Sequence, residues 1–298
     1  MRRDNIAPED CVFMTINSVS SSPVEAESYS ISTFRLRRRT PGTFVLVPFP
    51  KGGRSIRCQG QLEAAAAVIL ANCPLVETIR EQPFQIWYAW RETKTGLEIQ
   101  LLEQHNAARP TAPWHCSYIV PDFLVRMASG ATRLIEVKPF DKLHKPDVQR
   151  KLSVARCFAE QYGWSFHVLT ERELRRSPLL GNLRLLSRYR RLMTDAEMCE
   201  RILTLVAEQP TSINDVCVRV SFPDRLHEVR AAVLHLVVTG RLDIDPRYEP
   251  ISDSTLLYPG GSILWEPFDS VWGPSGSRTA ELFASSANSV PINSLSST

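Results

Sequence analysis

The sequence has no apolar run long enough to cross a bilayer: the longest, Ala64 to Ala71, is eight residues, against the roughly 20 that a spanning helix needs. No charged-then-apolar leader opens it, which predicts an unexported, cytoplasmic protein without a membrane partner. The seven cysteines are an odd number with no C-x-x-C spacing, which argues against a disulfide framework and against a zinc site. There is no internal repeat. What is present is ordinary globular composition, 43% hydrophobic and 22% charged over 298 residues. This excludes collagen-like, coiled-coil and wholly disordered chains and leaves room for about two domains. The net charge is only +3, but arginines come in runs, and local density is what a polyanion senses.

Residues 1–30 are rich in Ser, Glu, Asp and Pro and read as a disordered N-terminal segment. Apolar alternation predicts strands near Thr43–Val47, Phe84–Trp90, Leu97–Leu102, Pro121–Met127, Arg133–Lys138 and Trp164–Leu169. The stretch Gln61–Asn72 is apolar nearly all round, with Glu63 as its only charge, and predicts a helix buried on most sides. A second helix, Asp147–Tyr162, stops at Gly163 and feeds the strand at Trp164. Together these give an α/β domain with a mixed sheet over 31–191. From Thr194 the pattern changes. Thr194 and Glu197 have capping-box spacing, Pro210 ends that helix, Ser212 caps a short one, and Asp224–Val238 forms a third before Gly240 and strand-like Arg241–Ile244. Three helices and a hairpin suggest a small winged-helix domain, 192–258, followed by a flexible tail, 259–298.

The informative stretch is Pro121-Asp122-Phe123-Leu124-Val125 and Ile135-Glu136-Val137-Lys138-Pro139, joined by a turn containing Ser129-Gly130. Period two puts Glu136 and Lys138 on one face of their strand and Ile135 and Val137 on the other. A three-residue loop, Ser129–Ala131, would add Asp122, opposite Lys138, and Leu124, opposite Glu136, to that face; a two-residue loop would not. The odd loop is the expectation. Two carboxylates so placed repel, and a divalent cation with hard oxygen ligands, Mg2+ or Mn2+, would hold them together. Lys138 could orient or help deprotonate an attacking water and offset charge at phosphorus. Glu63 on its apolar helix needs something to pair with, and a second metal ligand role would supply it. The competing account is a surface ladder of ion pairs, with Glu63 a first-turn charge favoured by the helix dipole. Acid-x-Lys also occurs at Glu92-Thr93-Lys94, and Pro-Asp recurs at Pro146-Asp147 and Pro223-Asp224. Only Asp122 and Glu136 share a hairpin.

Pro-Asp, a hairpin and Glu-x-Lys resemble the PD-(D/E)XK nuclease superfamily, whose restriction-endonuclease-like fold is then expected of the first domain. Within it, Glu81-Gln82-Pro83-Phe84, Tyr118 before Pro121-Asp122-Phe123, Ile135-Glu136-Val137-Lys138-Pro139 and Leu169-Thr170-Glu171-Arg172-Glu173 resemble TnsA, the endonuclease subunit of heteromeric bacterial transposases. The resemblance spans about Gln59 to Glu173. It departs from the family in the extra residue between Tyr118 and Pro121 and in a longer insertion over Glu92–Pro113. It implies catalytic residues at Glu63, Asp122 and Lys138, with Glu136 as the middle acid. The expected metal ligands are Glu63, Asp122, Glu136 and the Val137 main-chain carbonyl, holding two Mg2+ ions or Mn2+ as substitute. It also implies cutting at the 5′ ends of a transposon, alongside a DDE transposase that acts at the 3′ ends and an ATPase regulator.

Double-stranded DNA would need phosphate contacts. Arg35, Arg37, Arg38 and Arg39 before the core, and Arg175 and Arg176 within a basic stretch running to Arg191, are the candidates. The rival functions are a stand-alone restriction or repair nuclease of the same superfamily and a non-enzymatic DNA-binding adaptor of transposition.

Overall fold

The computed structural model describes residues 13–15, 45–94, 96–102, 113–175, 178–220, 225–266 and 268. The N-terminal segment 1–12, Arg35 to Arg39, Arg176 and the segment 269–298 lie outside the described residues. Among the described residues, no helix is long and apolar enough to cross a membrane.

The centre is a mixed sheet of four strands, β4 (Val76–Glu81), β8 (Phe123–Met127), β9 (Thr132–Val137) and β10 (Ser165–Leu169), in the order β10-β9-β8-β4. The β4–β8 and β8–β9 pairs are antiparallel and β10 runs parallel to β9. The parallel pair needs a crossover, and α2 (Pro146–Gln161) supplies it. Alternation sends Phe123, Val125, Ile135 and Val137 to one face, where they bury with the alanines of α1 (Gln61–Asn72). Leu124 and Leu134 go to the other face, against Val154 and Ala155 of α2. Both faces are therefore apolar, and charge is confined to the strand ends. α1 is buried from Ala64 through Ala67 and again from Ile69 through Ala71, as its all-round apolar sequence predicts.

Two smaller β units flank this layer. The hairpin of β2 (Val45–Phe49) and β3 (Arg54–Cys58) covers α1. A second four-stranded sheet has the order β1-β6-β5-β7, from β1 (Phe13–Thr15), β5 (Ile86–Thr93), β6 (Gly96–Leu101) and β7 (His115–Ile119). Its Ile86, Tyr88, Ile99 and Leu101 join the core on the α2 side.

Three expectations need correction. The loop between β8 and β9 is odd, as expected, but it is Ala128–Gly130, closed by the Met127 N–H donating to Ala131 O at 2.8 Å with Gly130 at φ +85°. Phe123 pairs with Ile135 and Leu124 with Leu134; continuing that register brings Asp122 opposite Glu136, not Lys138. A shift by a whole pair keeps every side chain on its predicted face. Secondly, the cap of α5 (Ala196–Glu208) is Asp195, whose Oδ1 accepts from the N–H groups of Glu197 (3.0 Å) and Met198 (3.4 Å). Thr194 instead meets the Cys199 thiol, because the carboxylate at 195 better satisfies two unpaired donors and the helix dipole. Thirdly, Trp265 and Phe268, assigned from sequence to a flexible tail, are buried, and the Trp265 carbonyl accepts from the Cys73 thiol.

The C-terminal part comprises α3 (Glu171–Leu174), α4 (Leu179–Ser187), α5, α6 (Ile213–Arg219, capped by Ser212 as expected) and α7 (Leu226–Val238). It also holds a small antiparallel sheet of β11 (Thr211–Ser212), β12 (Leu242–Asp243) and β13 (Leu256–Pro259), in the order β11-β13-β12. One continuous buried cluster runs from α1 through α4 into α5, α6 and α7. Buried Asn182 of α4 spans the junction, donating to the carbonyls of Pro246 (2.9 Å) and Glu249 (2.7 Å) and accepting from the Ile251 N–H (3.0 Å). β12 and β13 approach so closely at Gly260 that a Cβ there would collide with the Gly240 carbonyl and the Arg241 backbone. Gly260→Ala is therefore expected to cost at least about 2 kcal/mol, read as a lowered midpoint in thermal denaturation.

Candidate active site

The site lies where β9 ends and β8 begins. Asp122 immediately precedes β8, and its backbone carbonyl accepts from the Gln82 N–H at 2.9 Å. Gln82 itself sits at φ +45°, a left-handed conformation uncommon outside glycine and typical of backbone held by its surroundings. The Asp122 carboxylate reaches across to β9, where Oδ2 accepts from the Val137 N–H at 2.7 Å. In return the Asp122 amide donates to the Glu136 carboxylate. Lys138 is fixed by its own N–H donating to Leu169 O of β10 at 3.0 Å. Its Nζ donates to Glu136 Oε1 at 2.5 Å and to the Val137 carbonyl at 3.2 Å, and stands 3.7 Å from Asp122 Oδ2.

Glu63 occupies the first turn of α1, where Oε2 accepts from the Gln59 N–H at 2.8 Å. The helix-dipole account of this residue is thus part of the truth, but Glu63 also senses the charges of Asp122 and Lys138. Glu63, Asp122, Glu136 and Lys138 therefore form one electrostatic unit. The side chains of Asp122, Glu136 and Lys138 are only 12%, 14% and 28% exposed, which rules out a solvated surface ladder. Of the residues expected to touch DNA, Arg175 is exposed just after α3.

Burial sets the charge states. Desolvation, reinforced by Asp122, pushes Glu136 up to about 8 and Glu63 up to about 7. Desolvation also raises Asp122, against the pull of Lys138 and the Val137 N–H. Lys138 pays for its own burial, yet the carboxylates around it hold its ammonium protonated well beyond the usual lysine range. An ammonium so held favours the orienting and charge-offsetting roles expected of Lys138 over the deprotonation of water.

Among the described residues, no three His, Cys, Asp or Glu side chains are set closely enough to hold a metal ion together, because Lys138 Nζ lies between the carboxylates and compensates them. The donor chemistry nevertheless suits a hard divalent cation: Asp122, Glu136 and the Val137 carbonyl offer only oxygen, and burial raises both carboxylates even with Lys138 beside them.

Two supporting features were not read from the sequence. Arg54 of β3 clamps Glu81 at the end of β4 through Nη1 to Oε1 (3.0 Å) and Nη2 to Oε2 (2.7 Å), bringing the hairpin against the site. The buried Cys58 thiol beside it is pushed up to about 12 by desolvation and by Glu63, Glu81 and Asp122, so it is an inert packing group. Beyond Lys138, the Phe140 N–H donates to the Glu171 carboxylate at 3.0 Å, and Arg172 lies over the Phe140 ring. This fastens the chain that leaves the site to α3.

No curated protein matches the chain. Residues 73–171 match the family model described as TnsA-like endonuclease N terminal. The match contains Asp122, Glu136 and Lys138 and stops short of Glu63, which lies outside it on α1. Residues 73–171, which hold the buried acid pair and lysine at the strand ends, are thus similar to the N-terminal domain of TnsA-like endonucleases, the family that the sequence resembles.

Proposed function

We propose that the protein is a Mg2+-dependent DNA endonuclease, the subunit of a heteromeric transposase that cuts the 5′ ends of a transposon together with a DDE transposase and under an ATPase regulator. The observation that carries this is the buried convergence of Asp122, Glu136 and Lys138 within the TnsA-like segment. Asp122, Glu136 and the Val137 carbonyl would hold the cation, with Glu63 as an outer carboxylate for a second ion. A divalent cation, when bound, supplies a Lewis acid for the phosphoryl oxygen and eases ionisation of the attacking water.

The chain's own residues do the rest. Hydrolysis forms a bond from water oxygen to phosphorus and breaks a phosphorus–oxygen ester bond; the water proton passes to solvent and the leaving oxygen takes a proton from solvent. Glu63, raised to about 7 by burial and Asp122, would ionise as the second ion binds and so serves as ligand rather than as the base. The Lys138 ammonium aims at the same region and offsets the charge that builds on phosphorus. The Val137 N–H fixes the rotamer of Asp122, so the acid is preorganised rather than recruited.

The three helices α5 to α7 with the sheet β11-β13-β12 have the order expected of a winged helix. Arg225 of this region is paired with Asp195 and Glu228, which favours a protein-facing over a DNA-facing role. To test the proposal, the protein is incubated with end-bearing DNA in Mg2+, with and without a DDE transposase, and nicks are mapped by strand. Nicks at the 5′ ends that require the partner are the expected result. Partner-independent cutting would instead favour a stand-alone nuclease, and no cutting at all the adaptor.

A further inference from the structure

A groove of about 660 Å3 runs along the face of α1 turned away from the central sheet. Its floor is Gln61, Ala64 and Val68, followed by Asn72, which lie on one side of the helix at spacings of three and four residues. The wall is the end of α4 and the turns that follow it, which present Arg184, Arg188 and Arg191. All three arginines are exposed. Among the described residues none of them takes part in a salt bridge, although most of the protein's other ion pairs use arginine. No Asp or Glu lines the groove. The fourth arginine there, Arg190, is already committed and donates to Asn72 Oδ1 at 3.1 Å, which marks the closed end.

Two features identify the occupant. The arginines come one from the last turn of α4, one from its cap and one from the turns that follow, all lining the same groove, so their charges are spread rather than held at a point. The small and apolar floor of Ala64 and Val68 admits a backbone that is apolar on its sugar side and anionic on the other. From Gln61 to Asn72 the helix rises about 16 Å, and one strand of B-form DNA presents a charge every ~3.4 Å of its axis. The groove is therefore long enough for several consecutive phosphates.

We infer that this groove is a track for the DNA sugar–phosphate backbone, with Arg184, Arg188 and Arg191 each taking a phosphate. The identity of the polyanion as DNA rests on the nuclease reading above; the groove as a phosphate track rests on the arginines themselves. Contacts of this kind fix position and register without reading sequence, so they would serve any flanking DNA.

The test is equilibrium binding of the full chain to a short duplex of arbitrary sequence in EDTA, followed by fluorescence anisotropy over a range of salt concentrations. Each phosphate contact contributes about 0.9 to the slope of log K against log salt. Replacing Arg184, Arg188 and Arg191 together by Gln is expected to lower that slope by about 2 to 3 and to weaken binding at least ~30-fold near physiological salt. The corresponding triple Lys variant is expected to keep most of the slope, since lysine retains the charge and loses only the bidentate geometry. An unchanged slope in the Gln variant overturns the inference, as does an equal loss in the Lys variant, which would mark a structural effect. So does a failure of the unsubstituted protein to bind. Because no cleavage is measured, arginine-dependent binding by a protein that never cuts DNA would count against the nuclease reading while leaving the groove in place.

Discussion

Replacing Asp122 by Asn is expected to lower the rate of DNA cleavage by about 10^3-fold or more while leaving the fold intact. The amide oxygen can still accept from the Val137 N–H, the bond that ties the start of β8 to the end of β9, so the hairpin keeps its closure. Lys138 also keeps its closer partner, Glu136 at 2.5 Å. What is lost is the negative charge, and with it the hardest ligand for a divalent cation. The comparison with Lys138→Met separates two roles. That variant should lose activity as well, but it leaves buried carboxylates without their compensating ammonium, so it should also destabilise the metal-free protein. Initial nicking rates on supercoiled DNA, read beside thermal denaturation of each variant, check both halves. Near-normal cleavage by Asp122→Asn would remove the acid from the mechanism.

The metal-free protein is expected to lose stability as pH rises through neutrality. The folded-state values of Glu63 and Glu136 lie near 7 and 8, above their ordinary value of 4.5. A carboxyl raised on folding contributes stability that is fully present below its unfolded pKa and is lost as pH climbs through the folded one. Between about pH 5 and pH 9 both groups shed protons into a site that already holds Asp122, while Lys138, raised rather than lowered, stays charged throughout and adds no slope. In EDTA the midpoint of thermal denaturation should fall by roughly 5 to 10 °C over that range. Mg2+ should restore most of it at the alkaline end, since a dication replaces the lost protons. Glu136→Gln mimics the protonated acid and should shrink the fall. A flat or rising profile in EDTA would mean that the three carboxylates are not electrostatically linked.

The parts of the fold that were legible in the sequence are those where one force dominates. α1 was legible over its whole length because Gln61–Asn72 is apolar nearly all round, and Ala64–Ala67 and Ile69–Ala71 are buried. The shared face of Asp122, Glu136 and Lys138 followed from strand periodicity and an odd loop, and parity survived although the register slid by one pair. The choice between the two odd loops belongs to Gly130, whose positive φ lets Met127 and Ala131 close the turn.

The strands that sequence reading missed share a physical reason. In β4 a register irregularity between Val76 and Thr78 leaves Val76 and Ile79 as the buried pair, a spacing of three that hides the alternation. β7 is an edge strand with no buried residue, and β3 offers only Ile56 and Cys58 to the core. Missing β3 also hid Arg54, so the clamp on Glu81 could not be foreseen. Trp265 and Phe268 bury in the same cluster as Cys73, whose thiol meets the Trp265 carbonyl, a partner far away in sequence and invisible to local pattern.

The central claim is that the carboxylates at the hairpin's end take a divalent cation, and the most direct measurement is Mn2+ binding by electron paramagnetic resonance. The free Mn2+ signal would be followed near pH 8, where Glu63 and Glu136 are losing their protons, with a non-cleavable phosphorothioate duplex present. The account predicts about two ions bound per chain, with binding sharply reduced in Asp122→Asn and weakened as pH falls through 7. Equal uptake by the parent protein and Asp122→Asn, or no uptake by either, would contradict it.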